Sequence, residues 1–141
     1  MIKTHKIPGD IVDHISKAKV YLASHPRVLF AYLFGGLAKG KPSPLSDVDI
    51  AVYLSEGGDV AQEKMEILGR LMELLWTDEI DLVILNTASL PLRARILEKK
   101  RVIVDNAPFV RHKFESLTLR EYLDFSVKEM EIYERRYSID R

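Results

Sequence analysis

With 141 residues, 47% of them hydrophobic, the chain can bury the core of one compact domain spanning residues 1–141. Lys plus Arg and Asp plus Glu both number 21, so the formal charge is zero and gives no strong signal for a nucleic-acid partner. No cysteine is present, which excludes disulfides, thiolate chemistry and Cys-based zinc sites. No run approaches the roughly 20 apolar residues of a membrane span, and the start, Met1 to Lys6, lacks a signal-type apolar core, so a soluble cytoplasmic protein with no membrane partner is expected.

In chain order, Gly9 and Asp10 read as a helix start. Ile11, Ile15, Ala18 and Leu22 follow at helical spacing, and Pro26 stops the helix. Residues 28–34 and 48–54 are apolar runs of strand length. Ser55-Glu56-Gly57-Gly58 is a turn, and Asp59 with Gln62 predicts a capping box for a helix that buries Ile67, Leu68, Leu71, Met72 and Leu75. Residues 79–85 read as a third strand, 89–99 as a short helix and 101–105 as a fourth strand. From about residue 107 the chain is charged and helical, and Thr118 with Glu121 predicts a second capping box that splits this region in two. The order α-β-β-α-β-α-β-α predicts an α/β (α+β) fold, a small mixed sheet covered by helices with a C-terminal helical region.

The chemistry concentrates between Leu33 and Leu54. A strand enters the Gly35-Gly36 turn, a basic proline-rich loop follows, and the next strand opens with Asp47 and Asp49. Strand side chains alternate, so Asp47 and Asp49 point the same way, roughly 7 Å apart. Asp81, inside the apolar run 79–85, shares their face if its strand lies beside theirs, and its apolar setting predicts a buried carboxylate that needs compensation. Three carboxylates on one face repel each other, and a divalent cation relieves that repulsion. Magnesium suits a few carboxylates plus phosphate oxygens, and a two-metal arrangement held by Asp47, Asp49 and Asp81 serves transfer from a nucleoside triphosphate. In that scheme Asp81 also takes the proton of the nucleophile.

The turn fits the same chemistry. Gly35 and Gly36 admit positive φ and a close backbone approach, and the N–H groups of Gly36, Leu37 and Ala38 form an anion-binding concavity. Lys39 and Lys41 either contact phosphate or solvate the loop. Arg93 and Arg95 either solvate the short helix or reach nucleotide phosphates. His5, His14, His25 and His112 are scattered without ligand spacing and read as surface or partly packed residues. The C-terminal region carries two apolar stripes, Phe114, Tyr122, Phe125 and Ile132 on one and Leu119, Leu123, Val127 and Met130 on the other. One stripe can cover the sheet; the other fits a groove of the same domain, a protein partner or a second copy of the chain. The end from Tyr133 to Tyr137 has the composition of an interface.

These residues resemble the minimal nucleotidyltransferases of the DNA polymerase β superfamily, relatives of kanamycin nucleotidyltransferase. The hallmark is Gly-Ser, about ten residues, Asp-x-Asp, then a third Asp on a later strand. Gly35-Gly36, Asp47-Val48-Asp49 and Asp81 match it, with Ala38-x-Gly40 extending the glycine motif. The likeness continues through residues 95–98, 101–103 and 120–125. It implies a polymerase-β-like fold, ATP and Mg²⁺ as substrate and cofactor, and Gly35, Gly36, Leu37, Ala38, Lys39 and Ser46 around the nucleotide. It also implies an antitoxin that transfers AMP to a tyrosine of a HEPN ribonuclease toxin, with the C-terminal helices as a hetero- or homo-oligomer surface. The chain departs from the hallmark at Gly36, where the family has serine. Loss of one hydrogen bond to a charged group costs roughly 1.5–3 kcal/mol, so lowered activity is expected and Ser43 or Ser46 are candidate substitutes. The alternative is a binding module that neutralises a partner by occlusion. A weaker one is an aminoglycoside-type small-molecule transferase, for which the chain has little spare length.

Overall fold

A computed structural model describes residues 11–35 and 48–138. The elements are α1 (Ile11–Ser24), β1 (Val28–Phe34), β2 (Val48–Leu54), α2 (Val60–Leu75), β3 (Ile80–Ile84), α3 (Leu90–Lys99), β4 (Arg101–Asp105) and α4 (Pro108–Ser138). The predicted order and types hold throughout, and the predicted start of α1 at Gly9 and Asp10 lies outside the described residues.

The four strands form one mixed sheet in the order β3-β2-β1-β4. β1 is antiparallel to both β2 and β4, whereas β2 and β3 run parallel. Parallel neighbours need a crossover, which α2 supplies. Alternation along the strands then divides the core in two. Val48, Ile50, Val52 and Leu54 of β2, with Leu82 and Ile84 of β3, meet Ile15, Ala18 and Leu22 of α1 and Ile67, Leu71 and Leu75 of α2. On the other face, Phe30, Tyr32, Ala51 and Leu85 meet Ile96 and Leu97 of α3, with Val110 and Phe114 of α4 packed against them. Leu68 and Met72, expected on the buried face of α2, lie at its half-buried margin.

Helix starts follow side-chain capping, with one difference from expectation. Asp59 Oδ1 accepts from the Gln62 backbone N–H at 3.1 Å, but the Gln62 side chain donates to Glu66 at 3.2 Å rather than returning to the cap. The reciprocal half of the box is replaced by an i,i+4 pair. Ser89 caps α3 through the Leu92 N–H, with Pro91 in the first turn.

The predicted break at Thr118 does not occur. α4 is one helix of 31 residues. Thr118 is fully buried, facing the domain, so its hydroxyl is unavailable as a cap. No Gly or Pro follows Pro108 in the helix to end it. The first turns of α4 are pinned by a polar cluster. Tyr32 Oη donates to Glu115 Oε2 at 2.6 Å, and Arg111 donates to Glu115 at 3.1 Å and to Asp105 at 3.0 Å. Lys100 Nζ lies 3.5 Å from the same Glu115 oxygen. Burial and the hydrogen bond to Glu115 hold the Tyr32 phenol protonated. Burial also opposes ionisation of Glu115, but the hydrogen bonds from Tyr32 and Arg111 and the charge of Lys100 outweigh it and keep its carboxyl below the ordinary value.

Beyond Thr118 the helix leaves the domain. Tyr122, Phe125 and Ile132, on the stripe of Phe114, are 36–55% exposed, and Leu119, Leu123, Val127 and Met130 of the other stripe are exposed as well. Phe114 packs on the sheet, and Leu119 and Tyr122 line a groove against α3; beyond Tyr122 both stripes stay open among the described residues.

Candidate active site

Asp49 and Asp81 are direct partners in the β2–β3 register. Adjacent strands lie about 4.8 Å apart, so the two carboxylates leave the sheet side by side. Both have the parity of Ala51, Tyr53 and Val83, so they stand on the face covered by α3 and α4. That cover reaches the Ala51 and Val83 row but stops short of the aspartate row: Asp49 is half-buried and Asp81 exposed. Exposure of Asp81 corrects the expectation of a buried carboxylate. β3 is an edge strand and Asp81 is its second residue, so an apolar run there still opens to solvent at that end. The acid is accessible to a ligand, which is the more useful property.

Gly35 ends β1 against this pair. Phe34 is the register partner of Asp49, and Gly35 follows with φ of +76°. A Cβ at Gly35 would lie 3.2 Å from Asp49 Cγ and closer still to Oδ2. Glycine is therefore required here twice, for its backbone conformation and for the space that the Asp49 carboxylate fills. The turn and the acid are fitted to each other by contact.

Asp47, Gly36, Leu37, Ala38, Lys39 and Ser46, with Lys41 and Ser43, lie outside the described residues. Among the described ones, no set of three His, Cys, Asp or Glu side chains comes together as a metal site. The donor chemistry of the pair nevertheless suits magnesium: hard carboxylate oxygens, one of them freely accessible, at an open sheet edge. Two like charges one strand apart favour a cation between them. Of the histidines, His14 stacks on Trp76 with centroids 6.1 Å apart, His25 Nδ1 accepts from the Arg27 N–H, His112 is exposed, and His5 lies outside the described residues.

Arg93 lies at the far end of the same face, packed over Phe114 beside Tyr53. Tyr53 is four residues along β2 from Asp49, or about 13 Å, which separates Arg93 from any phosphate held at the aspartates. Arg95 is exposed and lines a groove between α3 and α4 with Glu98, Glu115 and Tyr122. That separation was not legible in the sequence, because it depends on α3 starting at the end of β3 opposite Asp81. No described helix is long and apolar enough to cross a membrane.

The sequence matches the family described as polymerase beta, nucleotidyltransferase, over residues 16–108. Among solved structures, a toxin–antitoxin with AMP-PNP is 24% identical, with 87% of this chain and 95% of that chain covered at a TM-score of 0.69. A tri-AMPylated Shewanella oneidensis HEPN toxin in complex with MNT antitoxin gives 22% identity, coverage of 89% and 94%, and a TM-score of 0.64. The toxin–antitoxin MntA-HepT gives 22%, coverage of 88% and 96%, and 0.64. At these identities the likeness establishes the fold. No curated protein matches the sequence.

Proposed function

Because the chain belongs to the polymerase beta nucleotidyltransferase family, we propose that it transfers AMP from ATP to a hydroxyl, a tyrosine of a HEPN-type toxin, and acts as that toxin's antitoxin. The observation that carries the reading is Asp49 beside Asp81 in register, on an open face, with Gly35 fitted against Asp49. The AMP-PNP and the AMPylated HEPN toxin named for the structural relatives support the nucleotide and the acceptor. The 141 residues act as one nucleotidyltransferase unit, whose exposed half of α4 is the surface that meets the partner.

Asp47, Asp49 and Asp81 would hold two magnesium ions, which would supply positive charge against the triphosphate and the leaving pyrophosphate. The Gly35 turn keeps Asp49 in place, and the backbone of Gly36, Leu37 and Ala38, with Lys39 and Ser46, cradles the phosphates. The acceptor oxygen attacks the α-phosphorus, the bond from that phosphorus to the oxygen bridging to the β-phosphorus breaks, and pyrophosphate leaves. The exposed carboxylate of Asp81 receives the hydroxyl proton. Gly36 keeps its N–H but lacks the family hydroxyl, so Gly36→Ser raises the rate by roughly tenfold to a hundredfold.

The test is a thermal-shift titration with ATP, GTP, CTP and UTP, with and without Mg²⁺, on wild type, Asp49→Asn and Asp81→Asn. ATP at about 100 times its Kd stabilises by roughly 2.7 kcal/mol, only with Mg²⁺ and only in wild type. Absence of any shift defeats the catalytic reading and leaves neutralisation by occlusion, in which the aspartate variants neutralise as well as wild type does.

A further inference from the structure

The face covered by α3 and α4 carries a second feature at the end remote from the aspartates. A pocket of about 400 Å³ there is lined by Tyr53, Asn86, Arg93, Lys113 and Phe114 among others, with two cations and no carboxylate. Arg93 lies 5.9 Å from the Phe114 ring centroid, and its Nε is buried without an acceptor. The other two half-buried arginines among the described residues are both neutralised, Arg27 by Glu63 at 2.7 Å and Arg111 by Asp105 and Glu115. Neither Arg93 nor Lys113 has a carboxylate partner among the described residues. A part-buried cation without a counter-charge is unfavourable, and an entering oxyanion removes that cost while gaining charge-assisted hydrogen bonds.

The donors available to such a ligand are specific. The Asn86 amide is already committed, donating to Leu54 O at 2.8 Å and accepting from Leu54 N at 2.9 Å. Arg93, Lys113 and the Tyr53 hydroxyl remain. The aromatic wall is rigid, with Tyr53 and Phe114 centroids 5.3 Å apart. The rim identifies the kind of ligand. Phe109 and Leu117 flank Lys113 on one stripe of α4, and Phe109 is 81% exposed. A lone anion seated in the pocket leaves both uncovered. A polypeptide that sets an acidic side chain among apolar ones neutralises the cations and covers the rim together.

We propose that this pocket receives an acidic side chain of a protein partner, presented between apolar residues. The partner is identified by that chemistry alone, so the proposal holds whether or not the aspartates transfer AMP.

The test is selection of a random displayed peptide library on wild type, Asp49→Asn and the Arg93→Gln/Lys113→Gln double variant. Wild type and Asp49→Asn enrich peptides with Asp or Glu beside Phe, Leu or Met; the double variant does not. A selected peptide binds Arg93→Gln roughly tenfold more weakly or worse, as does its glutamate-to-glutamine counterpart on wild type. Arg93→Gln melts no lower than wild type, because it removes an uncompensated charge. If it unfolds, Lys113→Gln at its exposed position carries the binding test. Enrichment without acidic residues, or equal binding to wild type and the double variant, overturns the proposal. Backbone NMR shifts at residues 93 and 113 caused by inorganic phosphate or AMP, with no acidic peptide selected, assign a small oxyanion instead and also overturn it.

Discussion

Gly35→Ala tests the contact on which the candidate site depends. The substitution meets two separate penalties. At φ of +76° an L-residue pays about 1–2 kcal/mol relative to glycine, offset in part by about 0.4–1 kcal/mol from the stiffer unfolded chain. The new Cβ also meets Asp49, 3.2 Å from Cγ and nearer to Oδ2, and displacing a side chain from a packed position costs roughly 1–3 kcal/mol. The single variant should therefore lose about 1–4.5 kcal/mol. The two penalties separate in a double-mutant cycle. With Asp49→Ala only Cβ remains, 3.6 Å from the new methyl group, which is ordinary contact. Gly35→Ala in the Asp49→Ala background should then cost only the backbone part, so the coupling energy is about 1–3 kcal/mol. Urea denaturation of the four proteins measures it, with equal m-values as the condition for comparison. Coupling below about 0.5 kcal/mol would mean that the glycine serves the turn alone and that Asp49 is not held by it.

Glu115→Gln should destabilise by roughly 1–3 kcal/mol at neutral pH, because it breaks the charge-assisted bonds to Tyr32 and Arg111. The Glu115 carboxyl is held below the ordinary value of 4.5, so its contribution is complete above that pH and is lost as pH falls through the lowered value; a wild-type-to-variant gap undiminished at pH 3 would refute this. Arg27→Met should cost about 2–3 kcal/mol by chemical denaturation, because the guanidinium holds Glu63 and the carbonyls of Glu56 and Gly57 at once, and Arg27→Lys should recover only part. Deleting residues 126–141 should change stability by less than roughly 0.5 kcal/mol, since this part of α4 is exposed almost throughout its described length, and a larger loss would show that it packs on its own domain.

What the sequence revealed was local periodicity, and what it hid was neighbourhood. The runs 28–34, 48–54 and 101–105 match β1, β2 and β4 end to end because apolar runs between turns have few other uses. The shared face of Asp49 and Asp81 followed from alternation once β2 and β3 were neighbours. The exposure of Asp81 did not follow, because nothing in Glu79 to Leu85 states that β3 is the edge of the sheet. Gly35 was visible as a turn residue, but the Asp49 carboxylate in its place of closest approach was not, since fourteen positions separate them in the chain. In α4, Thr118 and Glu121 have the spacing of a cap, yet Thr118 lies one turn beyond Phe114 on the side that packs on the domain, and its own burial prevails over local capping.

The same reasoning explains why Arg93 could be read in sequence only as a helix-solvating or phosphate-reaching cation. Its surroundings come from β2, α3 and α4, three elements that no short motif joins. The fold places two acids, Asp49 and Asp81, at one end of a sheet face and two cations without a carboxylate partner among the described residues, Arg93 and Lys113, at the other. The Arg93 end is not neutralised by any described carboxylate, unlike the Tyr32–Glu115–Arg111–Asp105 cluster on the same face, which satisfies its own charges and serves to hold α4. A part-buried cation left without a counter-charge, as Arg93 is among the described residues, reduces stability, and it is retained where something from outside completes it. On that argument the Arg93 end takes an acid from outside the domain, and the satisfied cluster anchors the turns of α4 that carry Lys113 beside it.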